Sequence, residues 1–240
     1  MPSMKIRDKQ LVACIAYMKA HHEGQVRKVT GAPYYTHPMG VLELMEESPF
    51  FFPTRDKLAA LLHDIKEDSP GFSWTNMRGH WGNYVAGTVC LLSKGKLGEA
   101  DAAIYFNMLR LVHPSIMAIK LIDRIHNTSD YNSVLNIAWL KKYVEETVEH
   151  VLPLIPIMVM NGANISGGYY QLGVWVEDHL QNNLHGMRTR IFELQEAVAM
   201  GPTDYTVSPL KVHKMRTPAK APQKKAPKKK APKKKAPRKG

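Results

Sequence analysis

The stretch "ALLHDIKEDS", residues 60–69, begins as an apolar core segment and ends in one imidazole and three carboxylates. On a continuous helix, His63 would lie one turn before Glu67, and Asp64 one turn before Asp68. Neighbouring residues on a helix are about 100° apart, so these four polar groups would share one broad sector. By itself the segment fits a solvated helix end as well as it fits a reactive site.

Two other segments favour a metal site. His37 lies in "YYTHP", directly before a predicted helix, and Asp123 lies among apolar residues in "AIKLIDRIHN". An isolated carboxylate in such apolar surroundings would be costly to bury, and a bound cation removes that cost. Together, the candidate ligands are His37, His63, Asp64 and Asp123. Two nitrogen and two oxygen donors suit a divalent ion such as Mn²⁺, with Zn²⁺ or Fe²⁺ as alternatives, and such an ion can activate water against a phosphoryl group.

The elements that must position these side chains are predicted to be helices. Apolar residues recur at helical spacing through most of the chain, and Gly and Pro separate the segments. The predicted helices span about 7–22, 38–45, 54–68, 74–93 (one or two helices), 99–112, 114–130, 134–160 (with a bend at Pro153 and Pro156) and 169–198. Because no segment alternates as a half-buried strand does, the predicted fold class is all-α, a single packed multi-helix domain.

Charge divides the chain into two parts. Residues 201–240 contain fourteen of the 33 Lys and Arg residues but only one acid, Asp204, which leaves 19 basic and 20 acidic residues in 1–200. The sequence therefore predicts a near-neutral helical domain over 1–200 and a disordered, Lys/Ala/Pro-rich tail over 201–240. Its most basic part, residues 211–240, is a candidate for non-specific binding of nucleic acid.

Composition also bears on the cellular setting. Cys14 and Cys90 are too few for a disulfide framework, which favours a reducing, cytoplasmic location. The apolar run "VLPLIPIMVM" is too short to cross a bilayer and contains two prolines, so no membrane span is predicted. The sequence does not indicate an oligomeric state.

Three blocks resemble the signature of the RelA/SpoT-type hydrolases, which are HD-domain proteins. They are "AHHEGQVRKVTGAPYYTHP", "LAALLHDIKEDS" and "IKLIDRIHN", and the resemblance covers about residues 10–150. In size the chain is most similar to the small stand-alone alarmone hydrolases of that family. The resemblance implies a guanine nucleotide substrate and removal of the 3′-diphosphate of ppGpp or pppGpp, giving GDP or GTP and pyrophosphate.

The resemblance also implies a role for each matching residue. The implied metal ligands, commonly to manganese, are His37, His63, Asp64 and Asp123. The implied acidic pair, which orients or deprotonates the attacking water, is Glu67 and Asp68. The implied nucleotide contacts are Arg27, Lys28 and Asn127.

Other polar residues in these blocks have structural interpretations. We interpret Tyr34 and Tyr35 as loop-packing residues, and His22 and His126 as histidines that pack or form structural hydrogen bonds. Arg124 fits an ion pair with an acid of the domain as well as a contact with substrate.

Two other functions stay open at this point. The chain has Ser129 where the family usually has an arginine, two places after Asn127. That departure leaves room for an HD phosphohydrolase acting on a different phosphorylated nucleotide, such as a 3′-phosphorylated purine nucleotide or NADPH. The tail leaves room for a nucleic-acid-binding protein that uses the HD fold as a scaffold. The complete ligand set and the acidic pair oppose this last interpretation, because a scaffold has no need of them.

Overall fold

The computed structural model describes residues 8–68, 72–94 and 99–200, and within these ranges the chain is helical. The α-helices are α1 (Lys9–His21), α2 (Thr36–Glu47), α3 (Thr54–Leu62), α4 (Ile65–Asp68), α5 (Trp74–Leu92), α6 (Glu99–Leu109), α7 (Pro114–Ser129), α8 (Ile137–Glu146), α9 (Leu154–Gly162) and α10 (Gly168–Ala199). Extended pairing among the described residues is limited to an isolated bridge between Val26 and Pro33. The all-α prediction is confirmed. The predicted tail over 201–240 lies outside the described residues.

Helix α7 lies at the centre of the domain. It begins at Pro114, where a missing N–H costs nothing, and His113 caps it by accepting a hydrogen bond from the backbone N–H of Ser115. Twelve of its 16 residues are buried, and it packs against α2, α3, α5, α9 and α10. A polar residue in its middle, such as Asp123, is therefore carried into the interior.

Helices α2 and α3 pack against each other and against α7. The approach of α2 to α7 depends on Gly40, because a Cβ there would overlap the imidazole of His126. This close packing brings the start of α2 and the end of α3 to the middle of α7.

The predicted single helix over 54–68 is wrong at its centre. Helix α3 ends at Leu62 and α4 begins at Ile65, so His63 and Asp64 form the turn between them. The buried His63 ring lies 2.7 Å from the carbonyl oxygen of Ala60, which would accept the Asp64 N–H in a continuous helix. His63 and Glu67 therefore do not lie one turn apart on a continuous helix, and the prediction from helical spacing is wrong for this pair.

The predicted helix over 134–160 is also divided. Asn136 caps α8 by accepting from the N–H of Trp139, and a π-turn at Thr147–Val151 followed by Pro153 separates α8 from α9. The predicted interruption at Pro153 is confirmed, whereas Pro156, the second predicted bend, lies inside α9. Helix α8 packs on α10 through a small apolar cluster separate from the main core, with Leu140 and Met187 at its centre. Among the described helices, none is long and apolar enough to cross a bilayer.

Candidate metal and nucleotide site

Three buried side chains from different elements point their donor atoms at one another. His37 lies in the first turn of α2, His63 in the α3–α4 turn and Asp123 in the middle of α7. The two Nε2 atoms are 3.2 Å apart. Asp123 Oδ1 lies 3.1 Å from the Nε2 of His37 and 3.4 Å from that of His63. These three residues form a group that could hold a metal ion.

Asp64 is not one of these three residues, but it contacts both histidines of the group. Its Oδ2 lies 3.4 Å from the Nε2 of His37 and 3.2 Å from that of His63. Separations of this size are expected between ligands that lie about 2.0–2.2 Å from a common ion. The donor set therefore fits a divalent cation, with two imidazole nitrogens and two carboxylate oxygens.

Neighbouring groups hold the imidazoles in this orientation. The Nδ1–H of His63 donates to the carbonyl oxygen of Ala60, which leaves Nε2 as the ring nitrogen that faces the cluster. Nδ1 of His37 lies 3.0 Å from Nδ1 of His126, which fits the structural interpretation of His126. Such outer hydrogen bonds fix ring orientation and tautomer at metal sites.

The carboxylates are also held. Asp123 Oδ2 accepts from the Lys120 ammonium at 2.9 Å, and Asp123 Oδ1 accepts from the Asn127 amide at 2.6 Å. Asp64 Oδ2 accepts from the Tyr34 hydroxyl at 2.7 Å. The loop-packing interpretation of Tyr34 is therefore incomplete. Its position three residues before His37, in the loop that leads into α2, was the available signal.

Both carboxylates are ionised at neutral pH. Burial alone would raise the pKa of Asp123, but the Lys120 ammonium and the hydrogen bonds from the two histidines hold it well below its usual range. Burial likewise opposes ionisation of Asp64, and the His63 and His37 side chains lower its pKa well below the usual range. Both carboxyl groups are therefore deprotonated, as carboxylate ligands of a metal ion must be.

The predicted acidic pair lies on the short helix α4. Glu67 is exposed, and its carboxylate accepts a hydrogen bond from the backbone N–H of Lys94, just after α5. Glu67 is not one of the three residues His37, His63 and Asp123 that form the candidate metal group. The side chain of Asp68 lies outside what the structure describes.

A cavity of about 440 Å³ opens beside the cluster. Two of its lining residues, Tyr34 and Asn127, are the ones that hydrogen-bond Asp64 and Asp123. The other polar residues that line it are Gln25, Arg27, Lys28 and Asp130. Its apolar and aromatic lining consists of Val26, Val29, Val134, Trp139 and Tyr143. All three residues predicted to contact a nucleotide therefore line one cavity.

Arg27 and Lys28 differ in how they are held. Lys28 is exposed, whereas the Arg27 side chain is only 10% exposed. The Arg27 guanidinium donates from Nη2 to the Asn127 amide oxygen at 3.3 Å and lies 3.7 Å from Asp130 Oδ2. Its buried Nε has no hydrogen-bond partner among the described residues. Arg27 is thus a cation held in place by its neighbours, and its Nε–H is available to donate a hydrogen bond.

The open question about Arg124 is resolved in favour of a domain acid. Its guanidinium pairs with Glu146 at the end of α8, and the Lys94 ammonium lies 2.8 Å from the other Glu146 oxygen. Burial opposes ionisation of Glu146, but these two cations lower its pKa to about 2. Sequence reasoning missed Glu146, because its segment contains no readable motif.

No protein-family model matches the chain, but comparison with known proteins finds relatives among (p)ppGpp synthase/hydrolases and GTP pyrophosphokinases. The chain is 36% identical over 149 residues to the bifunctional (p)ppGpp synthase/hydrolase SpoT of Escherichia coli, which covers 58% of this chain and 20% of that protein. It is 34% identical over 146 residues to a GTP pyrophosphokinase of Streptomyces antibioticus, with 58% and 17% covered. The chain thus spans about a fifth of the length of these relatives.

A solved structure has the same fold. It is described as a metazoan ortholog of SpoT that hydrolyses ppGpp and plays a role in starvation responses, and it superposes with a TM-score of 0.55 at 20% identity. The match covers 73% of this chain and 96% of that one. The resemblance inferred from the three sequence blocks is therefore confirmed: this chain is a homologue of the RelA/SpoT-type proteins and has the all-α fold of their HD hydrolases.

Proposed function

We propose that this chain is a metal-dependent guanosine-3′,5′-bis(diphosphate) 3′-pyrophosphohydrolase. The observation that carries the proposal is the convergence of two imidazoles and two carboxylates beside a cavity lined by Arg27. Relatives named for this activity, from Escherichia coli O157:H7 and Haemophilus influenzae, support it at 36% and 33% identity over 58% and 55% of the chain.

The proposed ligands of the ion are His37, His63, Asp64 and Asp123, and Mn²⁺ is the ion we propose for this mixed donor set. When bound, a divalent cation neutralises phosphate charge and lowers the pKa of a water that can attack phosphorus. The four residues come from α2, the α3–α4 turn and α7, so the packing of these elements sets the position of the reaction.

Glu67 and Asp68 are proposed to orient the attacking water and accept its proton. The Lys94 N–H fixes the direction of the Glu67 carboxylate, and the exposure of Glu67 suits a group that returns a proton to solvent. The water oxygen forms a bond to the phosphorus that carries the 3′ oxygen. The bond between that phosphorus and the 3′ oxygen breaks, and the 3′ oxygen takes up a proton.

Arg27, Lys28 and Asn127 are proposed to hold the nucleotide. The Arg27 guanidinium is planar and carries fixed donors, which suits a phosphate oxygen or the face of a base. Asn127 contacts both Arg27 and Asp123, so it links the nucleotide-binding wall to the metal ligands. Positioning and charge neutralisation are the main requirements of phosphoryl transfer.

A panel of nucleotides incubated with the full-length protein and Mn²⁺ tests the substrate. We expect ppGpp and pppGpp to give GDP or GTP plus pyrophosphate, resolved by chromatography. NADPH and 3′-phosphorylated purine nucleotides should be turned over far more slowly. Rapid turnover of one of these without turnover of ppGpp would instead establish an HD phosphohydrolase with a different substrate.

We propose that the protein is cytoplasmic and that its basic tail binds nucleic acid without sequence preference. Residues 211–240 lie outside the described residues, and the proposal rests on charge, because no aromatic residue follows Tyr205 to stack on bases. Full-length protein and a chain ending at residue 200 should be compared on a random duplex at several salt concentrations. We expect only the full-length protein to bind, with affinity falling steeply as salt rises. Equal binding by both would contradict the proposal.

A further inference from the structure

The lining of the cavity beside the cluster includes one acidic residue, Asp130. Asp130 is the C-terminal cap of α7, seven residues after Asp123, which corresponds to about 10 Å along a helix axis. Its side chain lines the cavity and is 37% exposed, so it is accessible to a ligand. Tyr34 and Asn127, which contact the ligand carboxylates, lie on the side of the cavity nearest the cluster, and Arg27 Nη2 lies near both Asn127 and Asp130.

A carboxylate at this position opposes phosphate binding there. The C-terminal end of a helix is the negative end of its dipole, so α7 adds to the repulsion of anions and favours hydrogen-bond donors. Arg27, 3.7 Å from Asp130, offsets part of that charge without removing the acceptor oxygens. The phosphates therefore belong near the cluster, and a group rich in donors belongs near Asp130.

The apolar and aromatic part of the lining suits a flat ring. Val26, Val29 and Val134 supply apolar surface, and Trp139 stacks on Tyr143 with 3.9 Å between ring centroids. Aromatic side chains of this kind stack on nucleobases irrespective of base identity. Shape alone would therefore admit any purine, and discrimination needs a polar group.

We propose that Asp130 reads the guanine edge and so sets the base specificity of the site, an inference that rests on the proposed function. Guanine offers two adjacent donors, N1–H and the 2-amino group, which match the two acceptor oxygens of a carboxylate. Adenine offers an acceptor at N1 and has no 2-amino group, so its N1 would face the carboxylate acceptor to acceptor.

Binding of nucleoside diphosphates tests this without hydrolysis. Calorimetry should compare GDP, IDP, ADP and XDP on the wild-type protein, Asp130→Asn and Asp130→Ala, all in Mn²⁺ buffer. Wild-type protein should bind GDP at least about tenfold more tightly than IDP, which lacks the 2-amino donor. Asp130→Ala should bind GDP and IDP equally. Asp130→Asn should favour XDP over GDP, because its amide can donate to the 2-oxo group of xanthine.

A matched control is Asp178→Asn, an exposed change on α10 that should keep the wild-type preference. In turnover assays Asp130→Asn should raise KM for ppGpp more than it lowers kcat. Equal binding of GDP and IDP by wild-type protein, or a full preference for GDP in Asp130→Ala, would overturn the inference even if ppGpp is hydrolysed. The predicted preferences in a protein that does not hydrolyse ppGpp would uphold Asp130 as the guanine contact and refute the proposed function.

Discussion

At the scale of single residues, each candidate ligand is fixed by a partner of the chain itself. Ala60 orients the His63 ring, Lys120 holds Asp123, and Tyr34 holds Asp64. Such partners reduce the reorganisation needed for a cation to bind and are expected to matter almost as much as the ligands.

Tyr34→Phe tests this support. The change removes the hydroxyl that donates to Asp64 but keeps the ring, which stacks on His22 at 4.7 Å, so folding should be preserved. We expect Mn²⁺ affinity, measured by calorimetry, to fall by about 10–100-fold. The control is Tyr35→Phe, which removes a hydroxyl from the neighbouring ring and should bind Mn²⁺ as the wild type does. Unchanged affinity in both variants would show that Tyr34 does not support the site.

Glu67→Gln and Asp68→Asn separate catalytic acids from ligands. Neither residue is a proposed ligand, so both variants should retain one Mn²⁺ per chain by elemental analysis. Loss of a general base should lower kcat for ppGpp by about 10²–10⁴-fold. Wild-type turnover in both variants would refute the assignment, and loss of the ion would make them ligands instead.

The four candidate ligands could be proposed from sequence because of their residue types and apolar surroundings, whereas the acidic pair and the nucleotide contacts were implied by the family resemblance. The residues that hold these side chains in place could not be identified from sequence. Whether Tyr34 packs in its loop or reaches Asp64, 30 residues away, depends on how α2 lies against the α3–α4 turn. Glu146 belongs to the same class, since only packing brings it to Arg124 and Lys94.

At the scale of elements, the helices were predictable and the break between α3 and α4 was not. Apolar spacing marks a helix because it records which face is buried. The interruption at His63 and Asp64 depends on a buried ring bonding the carbonyl of Ala60, which no spacing records. The same break moves both residues out of a regular helix and into the cluster.

Gly40→Ala tests the approach of α2 to α7. The added Cβ would overlap the His126 imidazole, which in turn contacts His37. We expect a loss of about 1–3 kcal/mol in unfolding free energy and weaker Mn²⁺ binding. Gly79→Ala is the control, because its Cβ meets nothing within 4 Å and should leave stability unchanged or slightly raised. Equal melting temperatures for both variants would contradict the role given to Gly40.

Glu146→Gln tests the link between α7, α8 and the end of α5. The pKa of Glu146 is about 2 in the folded chain and 4.5 in the reference state, so its ion pairs stabilise the fold above pH 4.5 and lose that contribution as pH falls towards 2. Denaturant unfolding at pH 7 should show a loss on the order of 2–3 kcal/mol. The difference from wild type should narrow below pH 4.5. A difference that is independent of pH would mean that packing, not charge, is responsible.

At the scale of the whole molecule, the near-neutral part of the chain contains the cluster, the cavity and the network that joins them. The three sequence blocks supply the ligands and one wall of the cavity. The rest of the lining consists of Asp130, Val134 and two residues of α8, Trp139 and Tyr143. Helix α8 lies in a segment for which the sequence predicted helices and no function. Its contribution depends on packing against α10, a contact between residues far apart in sequence.

Metal-dependent cleavage of ppGpp is the central claim, and turnover before and after removal of the ion tests it most directly. Full-length protein with Mn²⁺ should release GDP and pyrophosphate in equal amounts, lose that activity in excess chelator and regain it when Mn²⁺ is restored. His63→Ala and Asp123→Ala should neither retain the ion nor cleave ppGpp. Undiminished cleavage by a sample shown to be free of metal, or no cleavage by protein that holds one Mn²⁺ per chain, would contradict the account.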